Sequence, residues 1–181
     1  MNACFIYYQQ FGSLLHREAC ALKEKGFEID IICLRKNRND EIKRIVDGIK
    51  IYQIQARPRA EKRTAKYFYN LSVFLLKSFV LINLLFIFKR YDVLHCTSPP
   101  DIVVFTAIMP KLFGAKILLD IHDIGPELYM RKLNESEDSV IITILKYLEK
   151  ISCQFADHVI TVTDLWKDKL VSRSVSSSNC S

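Results

Sequence analysis

Glycine and proline are scarce in this sequence, with five of each among 181 residues. Their scarcity excludes a collagen-like chain and a glycine- and proline-rich disordered one. The patterns G-x-G-x-x-G and G-x-x-x-x-G-K-[ST] are both missing, so neither a dinucleotide-binding fingerprint nor a P-loop is predicted. Half of the residues are hydrophobic and a quarter are charged, which is typical of a globular domain with a packed core.

Cysteine occurs six times, without a C-x-x-C pair and without a cluster with histidine at zinc-ligand spacing. Four of the six lie in apolar runs such as Ile32-Cys33-Leu34, where a thiol packs as a small hydrophobic group. We therefore expect reduced cysteines and a cytoplasmic chain. The first eight residues also lack the basic-then-apolar order of a signal peptide, which argues against secretion.

A net charge of +6 and a pI near 9.0 favour anionic partners, either nucleic acid or the surface of an anionic membrane. Along residues 35–44, however, basic residues alternate with acidic ones, and no aromatic platform for bases accompanies them. No nucleic-acid partner is therefore predicted, and the charged segment is interpreted as a solvated loop. The membrane surface remains, as an alternative to an ordinary basic soluble protein.

Short apolar runs alternate with amphipathic segments along most of the chain. Strands are predicted at 3–8, 27–34, 49–54, 92–95, 116–121 and 158–163, and helices at 13–25, 71–88, 99–113, 139–155 and from 164 onward. This alternation predicts a Rossmann-like α/β domain with a doubly wound, mostly parallel sheet over residues 1–170. Residues 171–181 contain six serines and no periodicity, so we expect a disordered tail there.

Residues 71–88 form an apolar run of eighteen residues with basic flanks. The length is close to the roughly 20 residues that span a bilayer, but Lys77 near its middle would cost about 2.5–3.5 kcal/mol on insertion scales. Spanning would also place the strands before and after it on opposite sides of the membrane. Two interpretations remain, a buried crossover helix, which is favoured, and a helix partly exposed to lipid with its basic flanks on anionic headgroups.

In open α/β sheets, ligands bind outside the carboxyl ends of the strands. The densest such position is 121–127, where His122, Asp123 and Glu127 follow a strongly apolar strand. An imidazole there can donate to a sugar hydroxyl or a phosphate, and a carboxylate can accept from hydroxyls. The alternative is that Asp123 caps the next turn while His122 packs beneath it. His95 is interpreted as a core histidine with satisfied hydrogen bonds.

Four segments, in the same order, resemble the GT-B glycosyltransferases of group 1, family 4. Residues 17–32 are similar to the pattern R-E-A-x-x-L-x-x-x-G-x-x-V-x-V-I that follows the first strand in that family. Residues 91–100 resemble its Y-D-V-I-H and P-P stretch, and residues 113–127 resemble G-A-K-x-x-x-D-x-H-D-x-x-P-E. Residues 155–163 resemble A-D-x-V-I-T-V-S, so the resemblance covers about residues 3–172.

The resemblance implies a retaining enzyme that moves a hexose from a nucleotide-diphosphate sugar to a lipid-linked or saccharide acceptor, without a metal or other cofactor. The implied setting is cell-surface polysaccharide synthesis at the inner face of the cell membrane. His122 would reach the donor sugar, with Asp123 beside it as the second catalytic residue. The implied substrate-binding residues are Gly12, Ser13, Arg17, Thr97, Ser98, Glu127, Thr163 and Asp164.

Two departures from the family pattern change the expectation. The family's D-P-R-V-x-R-E-A start is replaced at residues 12–19, where the acidic residue and the proline are missing. A second, donor-binding domain is also missing, and the E-x7-E spacing of Glu127 and Glu135 is interpreted as coincidence. We therefore expect an acceptor-side half that does not transfer a sugar alone. The alternative is a non-catalytic, membrane-associated subunit that binds the acceptor and pairs with a separate donor-binding chain.

Overall fold

In a computed structural model that describes residues 1–56, 64–133 and 136–181, seven strands form one sheet in the order β3-β4-β2-β1-β5-β6-β7. Glu135 and most of the basic stretch at 57–66 lie outside the described residues. The strands are β1 (Asn2–Gln10), β2 (Glu28–Arg35), β3 (Lys43–Val46), β4 (Ile49–Ala56), β5 (Val93–Ser98), β6 (Lys116–Ile121) and β7 (His158–Thr161). All neighbouring strands are parallel except β3 and β4, which confirms the predicted doubly wound, mostly parallel α/β fold.

The strands are connected mainly by helices, as the alternation of patterns predicts. The helices are α1 (Ser13–Glu24), α2 (Thr64–Lys89), α3 (Ile108–Leu112), α4 (Gly125–Leu133), α5 (Val140–Phe155) and α6 (Asp164–Arg173), with 3-10 helices at Asp101–Ala107 and Ser177–Asn179. The segment predicted as one helix from 99 to 113 is therefore a 3-10 helix continued by α3. Helix α4 was not predicted from the sequence.

The edge strand β3 begins in the charged segment that was expected to be a loop, so the prediction is wrong for Lys43 and Arg44. Strands β3 and β4 pair through Val46 and Ile49, and only Asp47 and Gly48 lie between them. Both residues have positive φ, 50° and 76°, as a two-residue hairpin turn matched to the twist of its strands requires. The Asp-Gly pair forms the turn of this hairpin, and the strand leading into it has two charged and two apolar residues.

Each face of the sheet has its own apolar core. On one face, Leu15 and Ala19 of α1 pack with Phe5, Ile31 and Ile51 from the central strands. On the other, α2, the 3-10 helix at Asp101–Ala107 and the C-terminal half of α5 pack over β1, β5 and β6. The face that carries α1 continues across β5 and β6 with polar residues, which is where the candidate site lies.

Helix α2 has one buried side and one exposed apolar side. Leu71, Phe74, Ser78 and Ile82 recur every three or four residues and are buried against the sheet. The opposite side exposes Tyr69, Leu76, Val80, Leu84 and Ile87. Within Lys66–Lys89, a window long and apolar enough to cross a membrane is only 28% buried. The helix is therefore a crossover helix, but it is not the buried one that was favoured from the sequence, because it has an uncovered apolar surface.

Residues 171–181 pack onto the domain, so the predicted disordered tail is wrong. Helix α6 continues to Arg173, and Cys180 is 3% exposed beside β7. The amide of Thr161 donates to the carbonyl of Ser181 at 3.0 Å, and the amide of Ser181 donates to the carbonyl of Val159 at 3.0 Å. The segment thus extends the sheet beyond β7 by backbone hydrogen bonds, which the serine-rich composition does not reveal.

Arg173 fixes the start of this segment through a partly buried ion network. Its guanidinium donates to both oxygens of Glu149 at 2.8 and 2.7 Å and to both oxygens of Glu127 at 2.7 and 2.9 Å. The hydroxyl of Ser174 also donates to Glu149, at 2.5 Å. Since the side chain of Glu149 is only 1% exposed, its charge is tolerated in the core only with these partners.

Replacing Arg173 with methionine keeps the apolar stem but leaves Glu149 without its cation. We expect the free energy of unfolding to fall by about 3 kcal/mol, because one partner of a buried pair has been removed. Urea unfolding followed by the fluorescence of Trp166, which lies on α6, measures the change. Arg131→Met at an exposed position of α4 is the matched control. Equal effects of the two substitutions would contradict a structural role for the network.

Candidate functional site

The carboxyl ends of β1 and β5 meet where the sheet changes winding direction. Strand β1 pairs with β2 on one side and with β5 on the other, so the loops after these two strands leave toward opposite halves of the sheet. This is the position at which open α/β sheets bind ligands. Strand β6 lies next to β5, and His122 follows its last residue.

His122 is held by Asp120, which lies two residues earlier on β6 and therefore on the same face of the sheet. The imidazole Nε2 of His122 is 2.8 Å from Oδ2 of Asp120, and Nε2 of His95 is 3.2 Å from the same oxygen. An ionised carboxylate only accepts hydrogen bonds, so both Nε2 atoms donate. Nδ1 of His122 is then the ring nitrogen that can bind a ligand. It accepts a hydrogen bond from the ligand when the imidazole is neutral and donates one when the imidazole is protonated.

The charges of this cluster are strongly coupled. Burial alone would raise the pKa of Asp120, but the hydrogen bonds from His122 and His95 outweigh it and hold that pKa well below its usual range. The bond to Asp120 raises the pKa of His122 above its ordinary 6.5, and the charges of Glu18 and Asp123 add to the rise. His122 is therefore more readily protonated than a free histidine, which suits a hydrogen-bond donor to a negative group.

Glu18 of α1 joins the cluster from above the sheet. One ligand atom from each of Glu18, His95 and Asp120 lies within 4.8 Å of the others, and burial raises the pKa of Glu18. These groups are close enough to hold a cation, but a cation there would displace hydrogen bonds that Asp120 already accepts. His16, Cys20 and Asp47 form a second such group. The expectation of no metal stays a prediction.

The loop that leads into α1 is exposed, as a phosphate-binding loop must be. Gly12 is the N-cap residue, with an extended φ of −134°, and Ser13 is the first helical residue. Gly12 has no side-chain oxygen to offer to the amides of the first turn, which leaves those amides able to bind an anion. Ser13 and Arg17 are both exposed on the first turns, close in sequence to Glu18.

The hydroxyls that end β5 are turned into the protein. Thr97 and Ser98 are 2% and 1% exposed, and Ser98 donates a hydrogen bond to Asp101 at the start of the 3-10 helix. Burial raises the pKa of Asp101 to about 6, although the bond from Ser98 lowers it in part. Ser98 thus has a local structural partner, and its role in binding substrate stays a prediction.

The remaining predicted residues lie at helix starts. Asp123 is exposed beside His122, without the buried partner that His122 has. Glu127 accepts from Arg173 and lies 2.8 Å from Nζ of Lys169; although burial opposes it, these cations lower its pKa to about 2. Thr163 caps α6 by accepting from the amide of Trp166 at 3.2 Å, and Asp164 is exposed next to it.

His122 was predicted from the sequence as a site residue, but Asp120 and Glu18, which lie beside it, were not. Asp120 is a charged residue within the apolar run of β6, where a carboxylate needs a partner. It precedes His122 by two residues, so the two side chains lie on the same face of the sheet. These two features together could have predicted the pair. Glu18 had no such signal, because its proximity to β5 and β6 depends on how α1 packs. His95 is buried and hydrogen-bonded to Asp120, as expected of a core histidine with satisfied bonds.

Comparison with known proteins agrees with the fold. The family model of Glycosyltransferase Family 4 matches residues 12–180. The solved structure of a sucrose-phosphate synthase from Thermosynechococcus elongatus matches with a TM-score of 0.68 and 16% identity, over 96% of this chain and 46% of that one. A shorter chain of sucrose-phosphate synthase from the same organism matches with a TM-score of 0.69 and 15% identity, over 100% and 87%. At these identities the structures show the fold, and this chain spans less than half of the longer one.

Replacing Asp120 with asparagine removes the charge that Nε2 of His122 contacts. We expect the pKa of His122 to fall relative to the unmodified chain, because the hydrogen bond to a carboxylate is the main cause of its rise. A pH titration of the imidazole signals by NMR measures it. Asp123→Asn removes the same charge from an exposed residue and should lower this pKa less. An unchanged His122 pKa in Asp120→Asn would show that the two side chains do not interact in solution.

Proposed function

The chain belongs to Glycosyltransferase Family 4, and we propose that it supplies the acceptor side and His122 for transfer of a hexose from a nucleotide-diphosphate sugar to a lipid-linked or saccharide acceptor. The observation that carries the proposal is the pair of Asp120 and His122 at the carboxyl edge of the sheet, 2.8 Å apart. The family membership makes the chain part of a glycosyltransferase. The donor, the acceptor and the stereochemical course are proposals.

The chemistry of the cluster suits transition-state stabilisation better than proton abstraction. Loss of a nucleotide diphosphate develops negative charge on the leaving oxygen, and a hydrogen bond from a positioned cation stabilises that charge. Because its pKa is raised, His122 can supply such a donor near neutral pH. Retention by reaction on one face of the sugar depends on positioning rather than on a strong base, and Asp120 fixes the imidazole in one orientation.

The nucleotide is bound, in this proposal, mainly by a second domain. Near His122, the groups suited to phosphate are the amides at the start of α1 and Arg17, which account for few contacts to a nucleotide diphosphate. The sucrose-phosphate synthase chain is about twice as long as the region matched here, which leaves room in that protein for a second domain. The 181-residue chain is then the acceptor-binding half of the reaction.

A turnover assay of the 181-residue chain tests directly whether the nucleotide sugar needs a second domain. We expect neither hydrolysis nor transfer with a panel of UDP- and GDP-hexoses, while circular dichroism shows a folded α/β protein, because the donor contacts are incomplete. His122→Ala and the exposed Lys25→Ala serve as the matched pair of variants. Turnover abolished by His122→Ala alone would show that this half carries the complete chemistry. Turnover that survives in His122→Ala would contradict the role of His122.

We further propose that α2 attaches the protein to the cytoplasmic surface of an anionic membrane, where lipid-linked acceptors for cell-surface polysaccharides are found. Strands β4 and β5 precede and follow α2 within one sheet, so α2 must lie along the membrane rather than across it. Its exposed side is apolar, and Phe86 brings Phe113 of the loop after α3 to within 6.1 Å. The net charge of +6 favours an anionic surface.

Replacing Leu84 and Ile87 with glutamine should weaken binding to anionic vesicles at least tenfold, because two large side chains that are 52% and 71% exposed would no longer enter the lipid. Vesicle co-sedimentation measures the partition coefficient. Val140→Gln/Ile144→Gln makes the same chemical change at exposed positions on α5. If both double variants bind as weakly as each other, α2 is not the attachment surface.

A further inference from the structure

A cationic cavity lies on the half of the sheet away from His122. It has a volume of about 1000 Å³ and lies between the segment that follows β2 and the first half of α2. Five basic side chains line it, and the described lining contains no aspartate or glutamate; the basic residues are Arg35, Lys36, Arg38, Lys66 and Lys77. A concentration of positive charge in a concave surface attracts multiply charged anions.

The cavity is built by a folded segment rather than by flexible side chains alone. Arg35 donates to the backbone carbonyls of Arg38 at 3.2 Å and Asp40 at 3.3 Å, and the carboxylate of Asp40 accepts from the amide of Asn37 at 2.7 Å. On the other wall, Gln55 donates to the carbonyl of Asn70 at 2.9 Å, which ties β4 to α2. The segment therefore wraps around the guanidinium of Arg35.

Arg35, which lines this cavity, has one side-chain donor without a partner among the described residues. Nε of Arg35 is buried and makes no hydrogen bond among the described residues. A buried donor without an acceptor is unfavourable. A guanidinium matches the geometry of phosphate oxygens better than any other side chain.

The cavity opens beside the apolar side of α2. Lys66, Asn70, Val73 and Lys77 recur every three or four residues and so share one side of the helix. The neighbouring side carries exposed apolar residues such as Tyr69 and Leu76. A lipid whose chains lie along that apolar side would bring its headgroup to the mouth of the cavity.

We propose that this cavity binds the phosphate monoester or diphosphate headgroup of a membrane lipid. Five basic side chains are more than are needed to neutralise the single negative charge of a phosphodiester. A phosphate monoester carries up to about two negative charges near neutral pH, and a diphosphate carries more. The assignment rests on the membrane attachment proposed for α2. It adds a recognition site for phosphoryl groups that is separate from the cluster at His122.

Vesicles of matched surface charge test the assignment. One set contains phosphatidic acid, a monoester, and the other contains enough phosphatidylglycerol, a diester, to give the same surface potential. We expect at least fivefold stronger partitioning to phosphatidic acid. Lys66→Gln/Lys77→Gln should abolish that preference. Lys25→Gln/Lys150→Gln, which removes the same charge from exposed positions directly after α1 and on α5, should keep it. Equal binding of the unmodified chain to both vesicle sets overturns the proposal.

Inorganic pyrophosphate distinguishes binding of phosphate in the cavity from binding of the protein to a membrane. We expect it to shift the NMR signals of Arg35 and Lys77 and to compete with phosphatidic acid vesicles. Pyrophosphate binding without any vesicle binding would overturn the lipid assignment and the attachment through α2, and would leave a site for a soluble phosphate. Vesicle binding that pyrophosphate and Lys66→Gln/Lys77→Gln leave unchanged would overturn the cavity assignment alone.

Discussion

Asp120 carries a charge into the buried part of β6, where it is 7% exposed, and a carboxylate in such a place is tolerated only with hydrogen-bond donors. His95 and His122 supply them, from the adjacent strand and from the residue that follows β6. The same bonds fix the ring of His122 and raise its pKa. Burial of one carboxylate therefore determines the orientation and the charge of the side chain assigned to the reaction.

A second constraint comes from the connectivity of α2. Both of its ends lead into strands of one sheet, so an apolar helix of 26 residues cannot cross a bilayer without breaking that sheet. Lying on the surface, it would place its apolar side in lipid and the cationic cavity at the headgroups. The cavity and His122 both lie toward the carboxyl ends of the strands, the edge at which α/β sheets bind ligands. The cavity at the first half of α2 and the chemistry would then share one edge of the domain.

The sequence predicted the parts of the structure that depend on burial of apolar runs. The parallel strands and the position of His122 follow from runs such as Ile117–Ile121 and from the rule for strand ends. Asp120 and Glu18 were missed because their contacts join elements distant in sequence. The prediction of a disordered tail was wrong for the same reason. Arg173 and Ser174 bind Glu149, and hydrophobic periodicity cannot predict an ion pair between residues 24 positions apart. The strand β3 was missed because it is only four residues long and the Asp-Gly turn that joins it to β4 was not recognised in the sequence.

The sugar-transfer site proposed at His122 can be tested by NMR, with the 181-residue chain titrated with UDP-glucose and GDP-mannose at millimolar concentration. We expect at least one of these nucleotide sugars to shift the imidazole signals of His122 and the amide signals of Gly12 and Ser13 together. Shifts confined to other surfaces, with the His122 signals unchanged, would contradict it.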